Sequence, residues 1–437
     1  MPGRLGLLLC DSSHAACDPC HAFCEGLRAR GVVRVIVRTF GMDDREMGRR
    51  IGYWRRRRKL TQAVFADRLG RSKSWVEKVE RGERSADRLS VLDAICGVLQ
   101  IDISAMIGQE PARSAAACID DSEVEHIRSA LERYPLGQEA AEGPDMSAIR
   151  RRLDHVWAAF EFGDYQVMGA ALPGLLRDAQ RSHVAVGSEE SARLLAEVYQ
   201  VIASTLRKLG EYALAWLAGD RGISVAQQAG DLASVAAAGF RVANALLSMG
   251  RPGRALDLNM SLADQLQPEC QTEELRALYG HVVLQAAMAA AALGDQGRAS
   301  ELITEARDVA RFVTPGSNHY RLAFEPVNVT LHEVGTLVVL GENGRAVEVA
   351  DAIGGAGLRM LRKERRAALL VDTARACSQA GNRDEALRRL LIAEEVAAPE
   401  VHCRPVAQAT IADLLHRSVG MPPLALARLA ERSGVRP

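Results

Sequence analysis

The stretch that decides the fold is Leu60–Gly82, LTQAVFADRLGRSKSWVEKVERG. Thr61 is placed to cap a first short helix, in which Phe65 and Leu69 fall on one face at helical spacing. Gly70 follows where the chain has to turn, because glycine readily takes the left-handed backbone that ends a helix. The stretch therefore begins with a helix and a turn.

A second short helix follows that turn. Ser72 and Ser74 both stand at capping positions, which leaves two alternative starts for this helix, about two residues apart. Val76 and Val79 lie three residues apart and face inward, which directs the polar side chains on the other faces of the helix to solvent. The outward side chains are those of Lys73, Ser74, Glu77, Lys78 and Arg81. A basic outward row of this kind predicts a helix-turn-helix whose second helix contacts DNA.

Charge is unevenly distributed, although the 437-residue chain has a formal net charge of zero. Between Arg45 and Arg84, fourteen Lys and Arg residues stand against five Asp and Glu residues. The run Arg55–Arg58 is the densest part, and so many cations on one short helix repel each other unless phosphates neutralise them. This local excess predicts double-stranded DNA as a partner.

The same stretch resembles the Cro/CI-type helix-turn-helix of phage repressors and XRE-family regulators. The matching residues are Leu60-Thr61-Gln62, Phe65-Ala66, Gly70, Ser72, Ser74, Val76 and Glu80-Arg81-Gly82. The resemblance implies a five-helix DNA-binding domain over residues 46–108, with a short last helix near 104–107. It also implies that Arg55 and Glu80 form a structural ion pair inside the domain.

The resemblance further implies how the domain contacts DNA. In this family the third helix enters the major groove, which assigns base contacts to Lys73, Ser74 and Lys78. The residues assigned to the DNA backbone are Gln62, Arg57, Trp75 and Arg81. Trp75 departs from the small polar residue that the family often has. It either lies against the DNA or fills the space between the third and fourth helices.

Residues 109–146 are predicted to be a linker that carries one helix. Gly- and Pro-rich segments at both ends break the helical pattern. Between them, Val124, Ile127 and Leu131 fall on one face of a helix near residues 123–134.

From residue 147 to 437 the chain is predicted to be an α-solenoid. Five glycines recur 40 to 47 residues apart, each followed five residues later by alanine: Gly210, Gly250, Gly294, Gly341 and Gly381. A glycine turn and a small residue predict closely packed helical hairpins, which must stack because none buries its apolar face alone. The region resembles degenerate tetratricopeptide repeats of the actinobacterial type, with capping helices near residues 405–415 and 424–429.

The concave face of such a solenoid is a predicted binding groove. In related regulators a short peptide binds there through asparagine side chains, so the resemblance implies a peptide or small-molecule effector. The groove candidates are Asn244, Asn259, Asn328 and His332. The alternative for each asparagine is a helix cap or a turn. The repeats are also predicted to hold a homodimer, because Cro/CI-type domains usually bind two half-sites about 34 Å apart.

The sequence predicts a transcriptional regulator and not an enzyme. It contains no Gly-rich phosphate loop, no nucleophile elbow and no His-Glu-x-x-His motif, and no cofactor is predicted. The alternative is a protein-interaction scaffold with a degenerate helix-turn-helix, which Glu77 favours because a carboxylate repels phosphates. Glu77 can instead accept a hydrogen bond from cytosine.

The nine cysteines divide into two groups. Four stand in residues 1–41 beside His14 and His21, where the spacing allows a zinc site or haem attachment. We expect no metal there, and predict that residues 1–41 are a disordered extension or precede a true start at Met42 or Met47. The other five cysteines are scattered singly, which predicts reduced thiols in a cytoplasmic protein. No apolar run reaches the roughly 18 residues of a membrane helix.

Overall fold

The computed structural model describes most of the chain, and the regular structure of that part is helical. The described residues are 44–58, 60–86, 89–99, 118–134, 143–418 and 420–435. The predicted all-α class is confirmed for them. The chain divides into two compact units, residues 1–112 and 113–437. The predictions for residues 1–41 and for a fifth helix near 104–107 lie outside the described residues.

Four helices of the first unit are described. They are α1 (Asp44–Arg57), α2 (Gln62–Arg68), α3 (Lys73–Glu80) and α4 (Leu89–Leu99). The hydroxyl of Thr61 caps α2 by accepting from the backbone N–H of Val64. Ser72 caps α3 in the same way, through the backbone N–H of Trp75. Ser72 therefore fixes the helix start that the sequence left open between Ser72 and Ser74.

An apolar core joins the four helices of the first unit. Its largest fully buried side chains are those of Ile51, Phe65, Leu92, Ile95 and Leu99. Helices α1 and α3 meet at Gly48, where a Cβ atom would lie 2.2 Å from the carbonyl oxygen of Val79. Because the two backbones touch there, direct contact with α1 fixes the position of α3.

Sixteen helices are described in the second unit, and most of them form hairpins. They are α5 (Asp121–Glu132), α6 (Met146–Phe162), α7 (Tyr165–Val186), α8 (Glu189–Lys208), α9 (Tyr212–Ala226), α10 (Leu232–Ser248), α11 (Pro252–Leu266), α12 (Glu273–Ala292), α13 (Gln296–Ala310), α14 (Pro326–Leu340), α15 (Asn343–Ala352), α16 (Gly354–Met360), α17 (Lys363–Gln379), α18 (Arg383–His402), α19 (Pro405–Arg417) and α20 (Leu424–Arg432). The predicted hairpins are confirmed, since α8 packs on α9, α10 on α11, α12 on α13, α14 on α15 and α17 on α18.

The recurring glycines and alanines explain these hairpins. The five predicted turn glycines, Gly210, Gly250, Gly294, Gly341 and Gly381, have φ between +73° and +87°. Residues with a Cβ atom rarely adopt such a conformation. The alanine five residues after each glycine is only 0 to 2% exposed. A larger side chain there would push neighbouring helices apart. The regular spacing of these alanines in the sequence therefore reflects the close packing of adjacent helices.

The array of hairpins curves until its first helices meet its later ones. Helix α6 packs against α17. The hydroxyl of Tyr165 in α7 donates to the Glu400 carboxylate in α18 at 2.9 Å. The ammonium of Lys208 in α8 lies 2.6 Å from Glu400 and 2.7 Å from Glu364 in α17. The concave face is therefore enclosed by helices from both parts of the array.

An irregular connection, residues 311–325, joins α13 to α14 and contacts α6. Three of its residues have left-handed backbone, which is uncommon outside glycine. They are Tyr320 (φ 51°), Arg321 (φ 60°) and Ala323 (φ 47°). Arg321 forms an ion pair with Asp154 of α6, and the amide of Asn318 donates to Glu161 of α6 at 2.7 Å. These contacts hold the connection against α6, and Arg321 and Leu322 form part of the wall of the concave face.

The two ends of the second unit also pack onto the array. Helix α5 corresponds to the single helix expected in the linker, and it packs on α7. It begins with a capping box, because Asp120 and Glu123 each accept a hydrogen bond from the backbone N–H of the other. At the far end, α19 and α20 share an apolar core with α17 and α18 through Ile411 and Leu429.

A disulfide bond joins Cys118, just before α5, to Cys403, just after α18. The prediction of reduced thiols was therefore wrong for these two cysteines, while Cys96, Cys270 and Cys377 are outside any disulfide. The two partners are 285 residues apart in sequence, yet their Cα atoms lie 5.9 Å apart. Only the curvature of the array brings them together, so spacing along the chain could not indicate the bond.

Removing this disulfide is expected to destabilise the second unit. A bond that closes so long a loop restricts the unfolded chain, and its loss typically costs about 2 to 4 kcal/mol. We expect the urea midpoint of the oxidised protein, followed by far-ultraviolet circular dichroism, to fall when a phosphine reductant is added. The double variant Cys118→Ser/Cys403→Ser should have the lower midpoint without reductant, and added reductant should not change it. The midpoint of Cys270→Ser should fall on reduction like that of the wild type. Equal midpoints of the wild type with and without reductant would contradict the expectation.

Two further properties concern membranes and metals. No helix in the described part of the chain is long and apolar enough to cross a bilayer. The same part contains no group of three or more His, Cys, Asp or Glu side chains placed to hold a metal ion. The cysteines and histidines of residues 1–41, considered above as zinc or haem ligands, lie outside it.

Candidate DNA-binding face and central cavity

Helix α3 presents a polar, basic face to solvent. Lys73, Ser74 and Lys78, the predicted base-contacting residues, are all exposed. Val76 and Val79 on the opposite face are buried in the core of the first unit. The alternation of buried and exposed residues follows the helical period that the sequence predicted, and it leaves the three side chains available to a groove of DNA.

The other residues predicted to contact DNA from this face differ in their exposure and in their neighbours. Trp75 is half-buried and packs against the core of the first unit, and the guanidinium of Arg71 lies 5.6 Å from its ring centroid. Arg81 is exposed and lies 3.4 Å from Glu83. The carboxylate of Glu77 lies 3.5 Å from the ammonium of Lys73, one turn earlier. Glu77 therefore has a cation beside it on the same face.

A buried network holds the beginning of α2 and the end of α3 against α1. The guanidinium of Arg55 contacts both carboxylate oxygens of Glu80, at 2.5 and 3.0 Å, and each side chain is only 10% exposed. The amide of Gln62 donates to the same carboxylate at 2.9 Å. Burial raises the pKa of Glu80, but the hydrogen bonds from Arg55 and Gln62 and the charge of Arg55 bring the net pKa below its ordinary value. The Glu80 carboxylate thus accepts hydrogen bonds from both side chains and thereby orients Gln62.

The arginine run at the end of α1 is divided between fold and surface. Arg55 belongs to the network with Glu80, and the Nε atom of Arg58 donates to the carbonyl oxygen of Leu99 at the end of α4. Arg56 is exposed. Arg57, predicted to contact the DNA backbone, is the last residue of α1, and its side chain lies outside the described part. Some of the positive charge counted from sequence therefore stabilises the domain itself.

The second unit encloses a cavity of about 230 Å³ on its concave face. The first helices of successive hairpins line it, from α6 and α8 through α10, α12 and α14 to α17. Two of the predicted groove residues, Asn244 and His332, are part of the lining. Asn259 is buried in α11, and Asn328 is buried at the start of α14, and neither is among the lining residues.

A helix-turn-helix domain model matches residues 46–105, which include α2 to α4 and all but the first two residues of α1. Among curated proteins, the chain is 32% identical over 126 residues to the immunity repressor protein of Bacillus phage phi105. That match spans 25% of this chain and 83% of the repressor. This chain belongs to the XRE family of helix-turn-helix regulators. The XRE protein is thus a DNA-binding transcriptional regulator with a helical repeat domain.

Among solved structures, the XRE regulator is matched to PlcR of Bacillus thuringiensis in complex with the peptide PapR7 and DNA. The match covers 80% of this chain and 95% of PlcR at 16% identity, with a TM-score of 0.25.

Charged side chains dominate the polar part of the cavity in this XRE regulator. Six cations line it: Arg207, Lys208, Arg241, Arg321, Arg365 and Arg404. Only two carboxylates do so, those of Glu364 and Asp372. Burial lowers the pKa of Arg241 to about 9, and burial raises that of Asp372. This cluster could not be predicted from the sequence, because its members come from different helices. The one signal in the sequence was an arginine within the apolar sequence of α10.

Two buried histidines share one glutamine on the wall of the cavity. The amide nitrogen of Gln285 lies 3.2 Å from Nε2 of His281 and 3.2 Å from Nε2 of His332. Nδ1 of His332 contacts the carbonyl oxygen of Asn328 at 2.9 Å. Burial lowers the pKa of His332 to about 4 and that of His281 well below its ordinary value. Both imidazoles are therefore neutral near pH 7.

Proposed function

We propose that this regulator binds an operator through the exposed face of α3 and that an effector in the cavity of the second unit changes its affinity for DNA. Lys73, Ser74 and Lys78 contact base edges, and Arg57, Gln62, Trp75 and Arg81 contact the sugar-phosphate backbone. The observation that carries the proposal is the exposed polar row on α3, held in place by the Arg55–Glu80 pair. A rigid helix with exposed donors is what base recognition requires.

The regulator is further proposed to act as a homodimer in the cytoplasm. One Cro/CI-type unit reads few base pairs, and two units are needed for half-sites one helical turn of DNA apart, about 34 Å. The effector is a peptide or a small molecule that enters the cavity near Asn244 and His332. The position of the cavity on the concave face between helices supports this role, since ligand sites are typically concave and formed between helices.

The experiment is a selection of binding sites from random duplex DNA with the full-length protein. A palindromic motif supports both operator recognition and the dimer, and light scattering of the free protein should then give the mass of two chains. Recovery of random sequence would favour the alternative, an interaction scaffold with a degenerate helix-turn-helix.

Variants of the DNA-binding face are expected to weaken operator binding in two different ways. Lys78→Ala should relax the base preference at one position by about 1 to 3 kcal/mol, because a base contact is lost. Arg81→Ala should weaken binding to all sequences alike and lower the salt slope by about one, because a phosphate contact is lost. Both are measured by fluorescence anisotropy over a salt series with the selected operator and its single-base variants.

The matched control is Arg254→Ala. Arg254 is an exposed arginine of α11 in the second unit, and its side chain is 80% exposed. Its removal changes net charge by the same amount and is expected to leave operator binding unchanged. Affinities of both face variants equal to that of the wild type for every duplex would contradict the proposed DNA-binding face.

A further inference from the structure

The central cavity carries more positive charge than its surroundings neutralise. Of the six cations that line it, Lys208, Arg321, Arg365 and Arg404 have ion pairs, formed with Glu364, Glu400 and Asp154. Asp372 adds one further carboxylate to the lining. With Glu197, whose charge acts on Arg241 from beyond ion-pair distance, six positive charges face five negative charges, which leaves an excess of one. Excess charge of one sign in an enclosed site attracts ligands of the opposite sign.

Arg241 is the cation with the most unused hydrogen-bonding capacity. Its side chain is buried, with the residue 5% exposed, between the rings of Phe240 and Trp157, whose centroids lie 4.4 and 5.5 Å from the guanidinium carbon. Its described hydrogen bonds go to the hydroxyl of Ser204 and the carbonyl oxygen of Ala237. No carboxylate lies within ion-pair distance among the described residues. A guanidinium has five N–H donors, so most of them remain for a ligand.

The position of the proton on His281 follows from its neighbours. An amide nitrogen can only donate, so Gln285 donates to Nε2 of both His281 and His332. The proton of each neutral imidazole is therefore on Nδ1. In His332 this proton is donated to the carbonyl oxygen of Asn328. Nδ1 of His281 is buried without a hydrogen-bond partner among the described residues.

Trp157 is a second lining residue with an unpaired buried donor. Its ring is fully buried, and its Nε1 atom has no hydrogen-bond partner in the described part of the chain. Buried donors are almost always satisfied by protein, water or ligand. Among these three residues, which all contribute to the lining, Arg241 is the one whose unused N–H groups remain for acceptor oxygens in the cavity, because Nδ1 of His281 and Nε1 of Trp157 have almost no accessible surface.

The remaining walls limit the size and polarity of what can bind. Phe160, Phe240, Met288 and Leu331 give the cavity an apolar side. Its volume of about 230 Å³ is smaller than the roughly 300 to 1,000 Å³ of pockets for drug-sized ligands. A compact molecule with one anionic group and one flat apolar group fits this division better than a peptide of several residues.

We propose that the cavity is a binding site for a small organic anion, a carboxylate or phosphate ester attached to an aromatic or aliphatic group. The anionic oxygens accept from the guanidinium of Arg241, and the apolar group lies among the aromatic side chains. This assignment deepens the effector part of the proposed function and rests on it only for its consequence at the operator. A charge-assisted hydrogen bond to a buried arginine gives the site both affinity and selectivity for anions.

The test uses the full-length protein and four probes: phenylacetate, phenyl phosphate, inorganic phosphate and the neutral amide phenylacetamide. Calorimetric titration should give saturable binding of at least one anion and at least tenfold weaker binding of phenylacetamide. Preference for phenylacetate identifies a carboxylate site, and preference for phenyl phosphate a phosphate-ester site. Inorganic phosphate binding as tightly as both organic anions would overturn the assignment of an organic ligand. No saturable binding of any anion up to about 10 mM would overturn the anion site itself.

The variant Arg241→Met separates a binding role from a structural one. It should weaken anion binding at least tenfold and raise the Tm of the ligand-free protein by about 2 to 4 °C, because a buried charge without a counter-charge is removed. A structural role would instead lower the Tm. Arg241→Lys keeps the charge and should retain part of the affinity, and Arg254→Met on the surface should retain all of it. Unchanged anion affinity in Arg241→Met would overturn the proposal.

Operator binding distinguishes failure of this inference from failure of the proposed function. If an anion binds as expected but leaves operator affinity unchanged, the site stands and its role in sensing fails. If no anion binds while the operator is still recognised, the anion site fails and the DNA-binding function stands.

Discussion

Glu80→Ala is expected to unfold the DNA-binding unit at physiological temperature. Arg55 would be left buried without its counter-charge and Gln62 without its acceptor, and breaking a buried pair in this way costs about 3 to 5 kcal/mol. A unit of this size has a total stability of roughly 3 to 8 kcal/mol. The substitution therefore removes most or all of it, and operator binding is lost although Glu80 itself touches no DNA in the proposed complex.

The control for this variant is Glu77→Ala on the same helix. Glu77 lies beside an exposed lysine at the surface, where an ion pair contributes about 0 to 1 kcal/mol. Limited proteolysis at increasing temperature should therefore cleave the first unit of Glu80→Ala early and that of Glu77→Ala like the wild type. The double variant Arg55→Met/Glu80→Met, which leaves no buried charge, should recover part of the stability. Equal cleavage of the two single variants would contradict the expectation.

The same network predicts how the first unit responds to acid. The pKa of Glu80 is lower in the folded protein than its ordinary value of 4.5. Its contribution to stability is thus complete above that value and is lost as the pH falls through the lower, folded-state pKa. Glu80→Gln should weaken this part of the acid dependence.

Glu400→Ala is expected to have a similarly large effect on the second unit. The Glu400 carboxylate is fully buried and accepts from Tyr165, Lys208 and Arg404. Its removal leaves buried cations with too few counter-charges, at a cost of about 3 to 5 kcal/mol. It also breaks the contact between the first hairpin of the array and the last. We expect the urea midpoint of the second unit, followed by circular dichroism, to fall accordingly.

Two further variants make this expectation specific. Glu395→Ala removes an exposed carboxylate from the same helix and should change the midpoint little. Tyr165→Phe removes one neutral donor and keeps the ring, so the expected loss is about 0.5 to 1.5 kcal/mol. If Glu400→Ala unfolded at the same urea concentration as Glu395→Ala, the buried cluster would not be what joins the two parts of the array.

Local features of this protein could be predicted from sequence because they depend on near neighbours. The caps at Thr61 and Ser72 and the inward faces of α2 and α3 follow from residues within one or two turns. The hairpins of the second unit follow from glycine turns and small alanines that pack on the adjacent helix. The resemblance to Cro/CI-type domains added the Arg55–Glu80 pair, whose members are separated by 25 residues.

The cavity and its charges could not be predicted in this way. How far a solenoid curves depends on a small rotation at every hairpin, and no single motif encodes that sum. Arg241, His281 and His332 therefore appear in sequence as unrelated residues on three helices. For the same reason the sequence could not show that Asn259 and Asn328, both predicted groove residues, are not among the residues that line the cavity. The disulfide between Cys118 and Cys403 could not be predicted for the same reason.

The meeting of the first and last hairpins also has a consequence for how the protein folds. An open repeat array can fray from either end, because each hairpin depends only on its neighbours. Here Tyr165 needs Glu400, 235 residues later, and Cys118 needs Cys403. Contacts so distant in sequence slow folding, since a long loop must close before they form. During synthesis one side of the early hairpins therefore stays exposed to solvent until the segment that contains Glu400 and Cys403 has left the ribosome.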